Sequence, residues 1–222
     1  MKSQLKEKIF DFRTVQGISL NQLTQHYQLY KGYVQKINQI WAALAQNQFS
    51  DPNPTYSPYR ALKSAETYAL DAVKLHELYF ENIIGTKKTP SGSVISKIIK
   101  DFGTYDNWKR DLWNAGKSAR GWVVTAYDPI DNKIRNYLSD AHDQGAIWHA
   151  YPLLVLDVYE HAYMIDFGID RDKYLNRFFE NINWEVVEKR YNNIFPQNTN
   201  HSEPPSPSQH PIYGNRGWMM DW

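Results

Sequence analysis

The chain contains no cysteine. Disulfides, thiolate metal sites and thiol nucleophiles are therefore excluded, and any metal must be held by histidine and carboxylate side chains. Long apolar runs are missing too. Nowhere do about 18 apolar residues follow one another, as a membrane-spanning helix requires, and residues 1–10 have no apolar core of signal-peptide length. The expected protein is soluble and its expected compartment the cytoplasm. Nor does one sign of charge dominate: 25 Lys and Arg against 24 Asp and Glu give a formal charge of +1. Such a balance supplies no global field for nucleic acid or an anionic membrane, so any attraction for an anion must be local. No internal repeat is evident.

What is present is apolar and aromatic in quantity. Hydrophobic residues make up 42% of the 222, and aromatics 15%, with 8 Trp and 16 Tyr. That suffices for one large domain or two small ones sharing an interface.

In chain order, residues 1–17 are mixed and read as extended. Ser19 is a plausible N-cap for a long helix starting near Leu20. Along it Leu23, His26, Tyr27, Tyr30, Tyr33, Val34, Ile37, Ile40, Trp41 and Leu44 recur at three- and four-residue steps. Residues 46–58 carry three prolines and end that helix. A second helix is predicted over residues 59–84, and a short linker between two long helices makes an antiparallel hairpin. A polar break over residues 85–92 leads to two shorter helices at 93–102 and 106–118. After Gly121 the period becomes strand-like over 122–127 and again over 134–138, with a turn at 128–132 between them. A further strand ends at Asp157, and residues 172–191 form a terminal helical region. The expected class is α+β: an N-terminal helical hairpin (1–87), then an α/β domain with a three-stranded antiparallel sheet (88–195). Residues 196–222 carry five prolines and few apolar residues before Ile212, the composition of a flexible tail. The tail ends on Trp218, Met219, Met220 and Trp222, which suits docking on an unidentified partner or on the protein body and equally a tolerated extension.

The chemistry concentrates at Leu153-Leu154-Val155-Leu156-Asp157-Val158-Tyr159-Glu160-His161-Ala162-Tyr163. The apolar run reads as a buried strand that ends on a carboxylate, and a helical turn after it would let Asp157 and His161 converge. By itself this spacing has little specificity, since a buried His beside a carboxylate is commonly a hydrogen-bonded pair.

The run from Asp157 to Tyr163, with Tyr174-Leu175 and Asn183-Trp184-Glu185 after it, resembles the D-x-W-E-H-A-Y signature of the iron/manganese superoxide dismutase family. The resemblance covers about residues 15–192. It implies a metal centre with Asp157 and His161 from the α/β domain and His76 from the second helix, the last in Leu75-His76-Glu77-Leu78-Tyr79-Phe80. The first-helix ligand has two solutions. The family's H-Y-x-x-H-H-x-x-Y-V is one residue shorter here, so an ungapped match from Tyr33 places the ligand on Gln25 and a gapped one on His26. Helix geometry favours His26, which shares a face with Tyr30 and Tyr33.

The resemblance further implies Tyr33, Tyr79 and Trp122 around the metal, Tyr159 where the family usually has Trp, and Tyr163 beyond it. Tyr30 replaces the family's inner His. The residue that hydrogen-bonds solvent on the metal is usually Gln. The helix position is Ala72, which cannot serve, and His142 matches a variant in which His takes the role. Arg171 matches a basic position that guides the anion, and Lys31 is a second basic residue for that role, with a solvated surface charge as its plainer reading. Glu160 would pair with His161 of the partner subunit, implying a homodimer or homotetramer.

Three imidazoles and one carboxylate suit one manganese or iron ion per chain, with superoxide as the substrate. Two other readings remain at this point. One is a catalytically silent protein that keeps the fold for binding. The other is a non-haem iron oxygenase with His76, His161 and Asp157 as a facial triad.

Overall fold

The computed structural model describes residues 4–46, 48–85, 89–145 and 147–195. The expected boundary between residues 87 and 88, and the expected tail at 196–222, lie outside the described residues.

Two 26-residue helices, α1 (Leu20–Ala45) and α2 (Pro58–Ile83), pack against each other as the hairpin. Both start where side-chain chemistry dictates. The Ser19 hydroxyl accepts from Gln22 N, and the Ser57 hydroxyl accepts from Arg60 N with Pro58 in the first turn, where its missing N–H costs nothing. Ahead of α1, residues 4–19 are irregular except for a 3-10 turn at Phe12–Thr14.

Helices α3 (Ser93–Phe102) and α4 (Tyr105–Ser118) are separated by Gly103 at φ 83° and restarted by the Thr104 cap. The sheet follows, with β1 (Trp122–Asp128) central between β2 (Lys133–Ser139) and β3 (Tyr151–Asp157), both antiparallel to it. From Leu153 to Asp157 every residue of β3 is buried, as its unbroken apolar run predicts for a strand covered on both faces. A bulge opposite Thr125 and Ala126 re-aims the strand. Helix α2 packs on β3, and α4 on β1 and β2. Among the described residues no helix is long and apolar enough to cross a membrane.

After β3 come a 3-10 turn (Glu160–Ala162) and the four-residue α5 (Met164–Phe167). The terminal helical region then divides in two, α6 (Arg171–Asn181) and α7 (Trp184–Ile194). Asn183 makes the break: its side chain caps α7 through Glu185 N while its own N–H donates to Asn82 O at 2.6 Å.

Helix α3 begins on Gly92 with no local side-chain cap. Its cap is Glu188 from α7, whose carboxylate accepts from Ser93 N (2.9 Å) and Val94 N (2.8 Å). Replacing Glu188 by alanine is expected to cost about 1 kcal/mol, at the modest end for a lost cap because the site is partly exposed. Chemical denaturation at pH 7 would read this. An unchanged midpoint would show that water replaces the carboxylate without loss.

Candidate metal centre

Four separate elements deliver four side chains to one point. His26 comes from the buried face of α1 and His76 from α2, Asp157 is the last residue of β3, and His161 sits in the 3-10 turn that follows. The ligand-capable atoms all lie within 4.8 Å of one another. His26 Nε2 is 3.0 Å from Asp157 Oδ2, His161 Nε2 3.2 Å and His76 Nε2 3.9 Å. His26, His76 and Asp157 are fully buried, and the side chain of His161 is 28% exposed, so the site opens on that side. Gln25, the alternative first ligand, is exposed and bonded to Asn21 on the same helix.

This cluster fits a cation. His76 Nδ1 donates to the Ala72 carbonyl at 2.6 Å, and a carbonyl can only accept, so a neutral ring presents a bare Nε2 lone pair to the centre. That Nε2 has no hydrogen-bond partner, and neither does His26 Nε2, whose close contact with Asp157 is not aligned as a hydrogen bond. Buried lone pairs aimed at a buried carboxylate are costly unless a positive charge lies among them. Burial lowers the pKa of both His26 and His76, which keeps them neutral, the form that binds metal. Burial alone would raise that of Asp157. The neighbouring imidazoles, His161 first and then His26, outweigh it and hold the carboxyl well below the usual carboxylate range. Oxygen and nitrogen donors without sulfur suit manganese or iron.

The backbone fixes Asp157 twice. Its strand partner is Trp122, and its Oδ1 accepts from Tyr159 N at 3.0 Å. Gly121 permits the close approach: a Cβ there would meet Ser139 O at 2.9 Å and the Tyr159 ring at 3.0 Å.

Aromatic walls surround the four. The Trp122 indole stands edge-on to His76 at 5.0 Å, and Tyr159, in the place where Trp is usual, stacks on His161 at 5.1 Å. Trp122 Nε1 donates to His142 Nδ1 at 3.0 Å, and His142 Nε2 lies 2.9 Å from the Tyr33 hydroxyl, so His142 joins β1 to α1 beside the cluster. Tyr79 packs 5.2 Å from His26, and its hydroxyl is 3.2 Å from that of Tyr174, which donates to the Asp157 carbonyl at 2.6 Å. Tyr163 stacks on Tyr174 at 5.0 Å.

Four further residues named from the sequence lie around the centre. Arg171, expected to guide an anion, directs its donors to the Ala119 carbonyl (2.8 Å) and to the Tyr163 hydroxyl (3.2 Å), bracing α6 against the end of α4. Lys31 lies over the Tyr27 ring at 6.0 Å. Tyr30, in place of the family's inner His, is fully buried and turns its hydroxyl to Glu77 and Lys8 N. Glu160 is exposed at the start of the 3-10 turn, next to His161.

Sequence reasoning missed two contributors. Gln22 is fully buried. Its Nε2 donates to the His161 carbonyl at 2.6 Å and its Oε1 accepts from Ile165 N, which pins α1 to the turn that carries His161. A signal existed: Gln22 lies one turn before His26 on the apolar face. Tyr68, whose ring is 4.6 Å from His142, had only its place on the second helix to distinguish it.

Comparison with known proteins agrees with this geometry. Residues 90–190 match the model of the iron/manganese superoxide dismutase C-terminal domain. The chain is 39% identical over 184 residues to the iron superoxide dismutase of Aquifex pyrophilus, covering 81% of this chain and 86% of that one. The iron enzyme of Aquifex aeolicus gives the same figures. The manganese superoxide dismutase of Haloarcula marismortui is 35% identical over 176 residues, 78% of this chain and 85% of that one. A buried His3Asp cluster, reached by an N-terminal hairpin and a three-stranded α/β unit, coincides with relatives of both metals across most of the chain: the protein belongs to the iron/manganese superoxide dismutase family.

Proposed function

We propose that this chain dismutates superoxide, with His26, His76, Asp157 and His161 holding one manganese or iron ion. The carrying observation is the convergence of three imidazoles and a carboxylate with two Nε2 atoms unpartnered. When bound, the ion supplies one-electron exchange between its trivalent and divalent states, and two superoxide anions with two protons become dioxygen and hydrogen peroxide.

The chain's own residues do the rest. Asp157 places one negative charge against the cation. Trp122, Tyr159 and Tyr79 exclude bulk water and hold the imidazole planes. His142 and Tyr33 form a polar pair at the edge of the cluster, where a proton can be held for the reduced substrate. Burial pushes the Tyr33 hydroxyl upward, so it stays protonated and able to donate at neutral pH. Exposed Glu160 beside His161 supports a two-fold pairing in which Glu160 meets His161 of the partner subunit, and light scattering of the holoenzyme would show a dimer.

The decisive experiment loads metal-free protein with manganese and iron separately, then measures metal content and dismutation. Activity at about one ion per chain with either metal is expected. A stoichiometrically loaded chain inactive with both metals would leave the fold a silent scaffold. The silent reading needed His26 turned away from the other ligands, whereas its Nε2 is 3.0 Å from Asp157. The facial-triad reading needed three ligands, and the cluster has four.

A further inference from the structure

The bond between Trp122 and His142 sets the direction of protons at the edge of the site. An indole N–H can only donate, so His142 Nδ1 must be the acceptor of the 3.0 Å bond and the ring proton must sit on Nε2. Nε2–H then donates to the Tyr33 oxygen at 2.9 Å. Tyr33 receives a hydrogen bond from within, which leaves its own O–H to donate elsewhere.

Two phenols could take up that direction. Tyr30, one turn earlier on α1, is fully buried and committed to Glu77 and Lys8 N, so it leads away from the site. Tyr68 is different. Its ring stands edge-on to His142 at 4.6 Å and to Tyr33 at 6.2 Å, beside the inner pair. It is also 38% exposed, so one residue touches both the inner pair and solvent. On α2 it lies two turns before His76, with Ala72 between them, and Ala72 offers no side-chain donor or acceptor along that face.

We propose that Tyr68 is the outer member of a phenol pair that carries protons from solvent to Tyr33. The proposal rests on the dismutase reading above. When Tyr33 releases its proton to the reduced substrate, the Tyr68 proton moves to the Tyr33 oxygen and water restores the Tyr68 O–H. Every O–H bond broken is re-formed, no electron moves, and one proton is taken from solvent in each passage. Tyr68 touches neither the metal ligands nor the substrate, so it acts through Tyr33 as a positioning residue.

The test is Tyr68→Phe, which keeps the ring and removes the hydroxyl. In metal-free protein carrying 15N-labelled histidine, exchange of the His142 Nε2–H with solvent is expected to slow about tenfold. In the metal-loaded enzyme kcat should fall about tenfold with a larger solvent deuterium effect, while kcat/KM and azide affinity hold, and added imidazole should restore turnover. Unchanged exchange would overturn the route. So would equal losses in kcat/KM and azide affinity, which would assign Tyr68 to shaping the mouth. An inactive wild-type holoenzyme defeats the dismutase reading, whereas the exchange rate in the metal-free chain decides the route by itself.

Discussion

His26→Ala is expected to lose its metal and with it all measurable dismutation, while Gln25→Ala, one residue away, keeps both. His26 is buried at the centre of the cluster, and its Nε2 has no hydrogen-bond partner. Removing a partner outside the ligand set commonly costs 10- to 100-fold in metal affinity, so loss of a ligand should exceed about 100-fold. Packing suffers as well, because the imidazole sits 4.9 Å from Phe80 and 5.2 Å from Tyr79, and a large-to-small change in a core costs about 2–4 kcal/mol. His26→Gln separates the two effects: it nearly preserves volume, so the metal-free form should unfold close to wild type and still fail to hold the ion. Elemental analysis, dismutation rate and thermal unfolding on all three variants read the prediction. Retention of about one ion and of activity by His26→Ala would send the first ligand position elsewhere on α1.

That ambiguity shows what a sequence carries. The one-residue shortening between His26 and Tyr33 made two alignments equally easy to write. Helix period separated them, because His26 falls on the stripe with Leu23, Tyr30 and Val34, all buried, whereas Gln25 falls outside it. Local rules likewise announced the Ser19 cap and the strand that ends on Asp157. Polar residues that act across the fold were silent. Gln22 acts on a turn 139 positions later, Glu188 caps a helix that starts 95 positions earlier, and Arg171 reaches a carbonyl 52 positions back. Periodicity reports which face is buried, not which distant backbone atom will need a donor there. Arg171 illustrates that limit: the resemblance marked it as a basic position, and nothing near it in the chain announced its bonds to the Ala119 carbonyl and the Tyr163 hydroxyl.

Arg190 is the strongest of these long-range ties, and its replacement by alanine should be the most destabilising single change away from the ligands. Its side chain is 13% exposed. One guanidinium nitrogen donates to Asn82 Oδ1 (2.5 Å) and the Leu153 carbonyl (2.8 Å), the other to the Leu78 carbonyl (3.1 Å) and Glu81 Oε2 (2.8 Å). Asn82 in turn donates to the Val155 carbonyl at 2.6 Å, so one planar group joins α7, the end of α2 and the start of β3. The strands and helices so joined are those that carry His76 and Asp157. Alanine would leave three neutral acceptors unpaired in a poorly solvated place and the partly exposed Glu81 carboxylate with Lys8 alone, a loss of about 3 kcal/mol from a typical total of 5–15. Lysine should recover only part of it, since one ammonium cannot match a fork that reaches four acceptors. The effect depends on pH with a definite sign. Burial would raise the Glu81 carboxyl, but Arg190 and then Lys8 outweigh it and hold it below its ordinary 4.5. A depressed carboxylate contributes stability above its unfolded value and loses it as pH falls through the folded one. The gap between wild type and Arg190→Ala should therefore be widest near neutrality and narrow below pH about 4. Urea unfolding of the metal-free chains at pH 7 and in acid measures both, metal being omitted because a bound ion stabilises by mass action and would mask the difference. A loss under about 1 kcal/mol at pH 7 would mean that water replaces the guanidinium, and that packing rather than this tie holds α2 to β3.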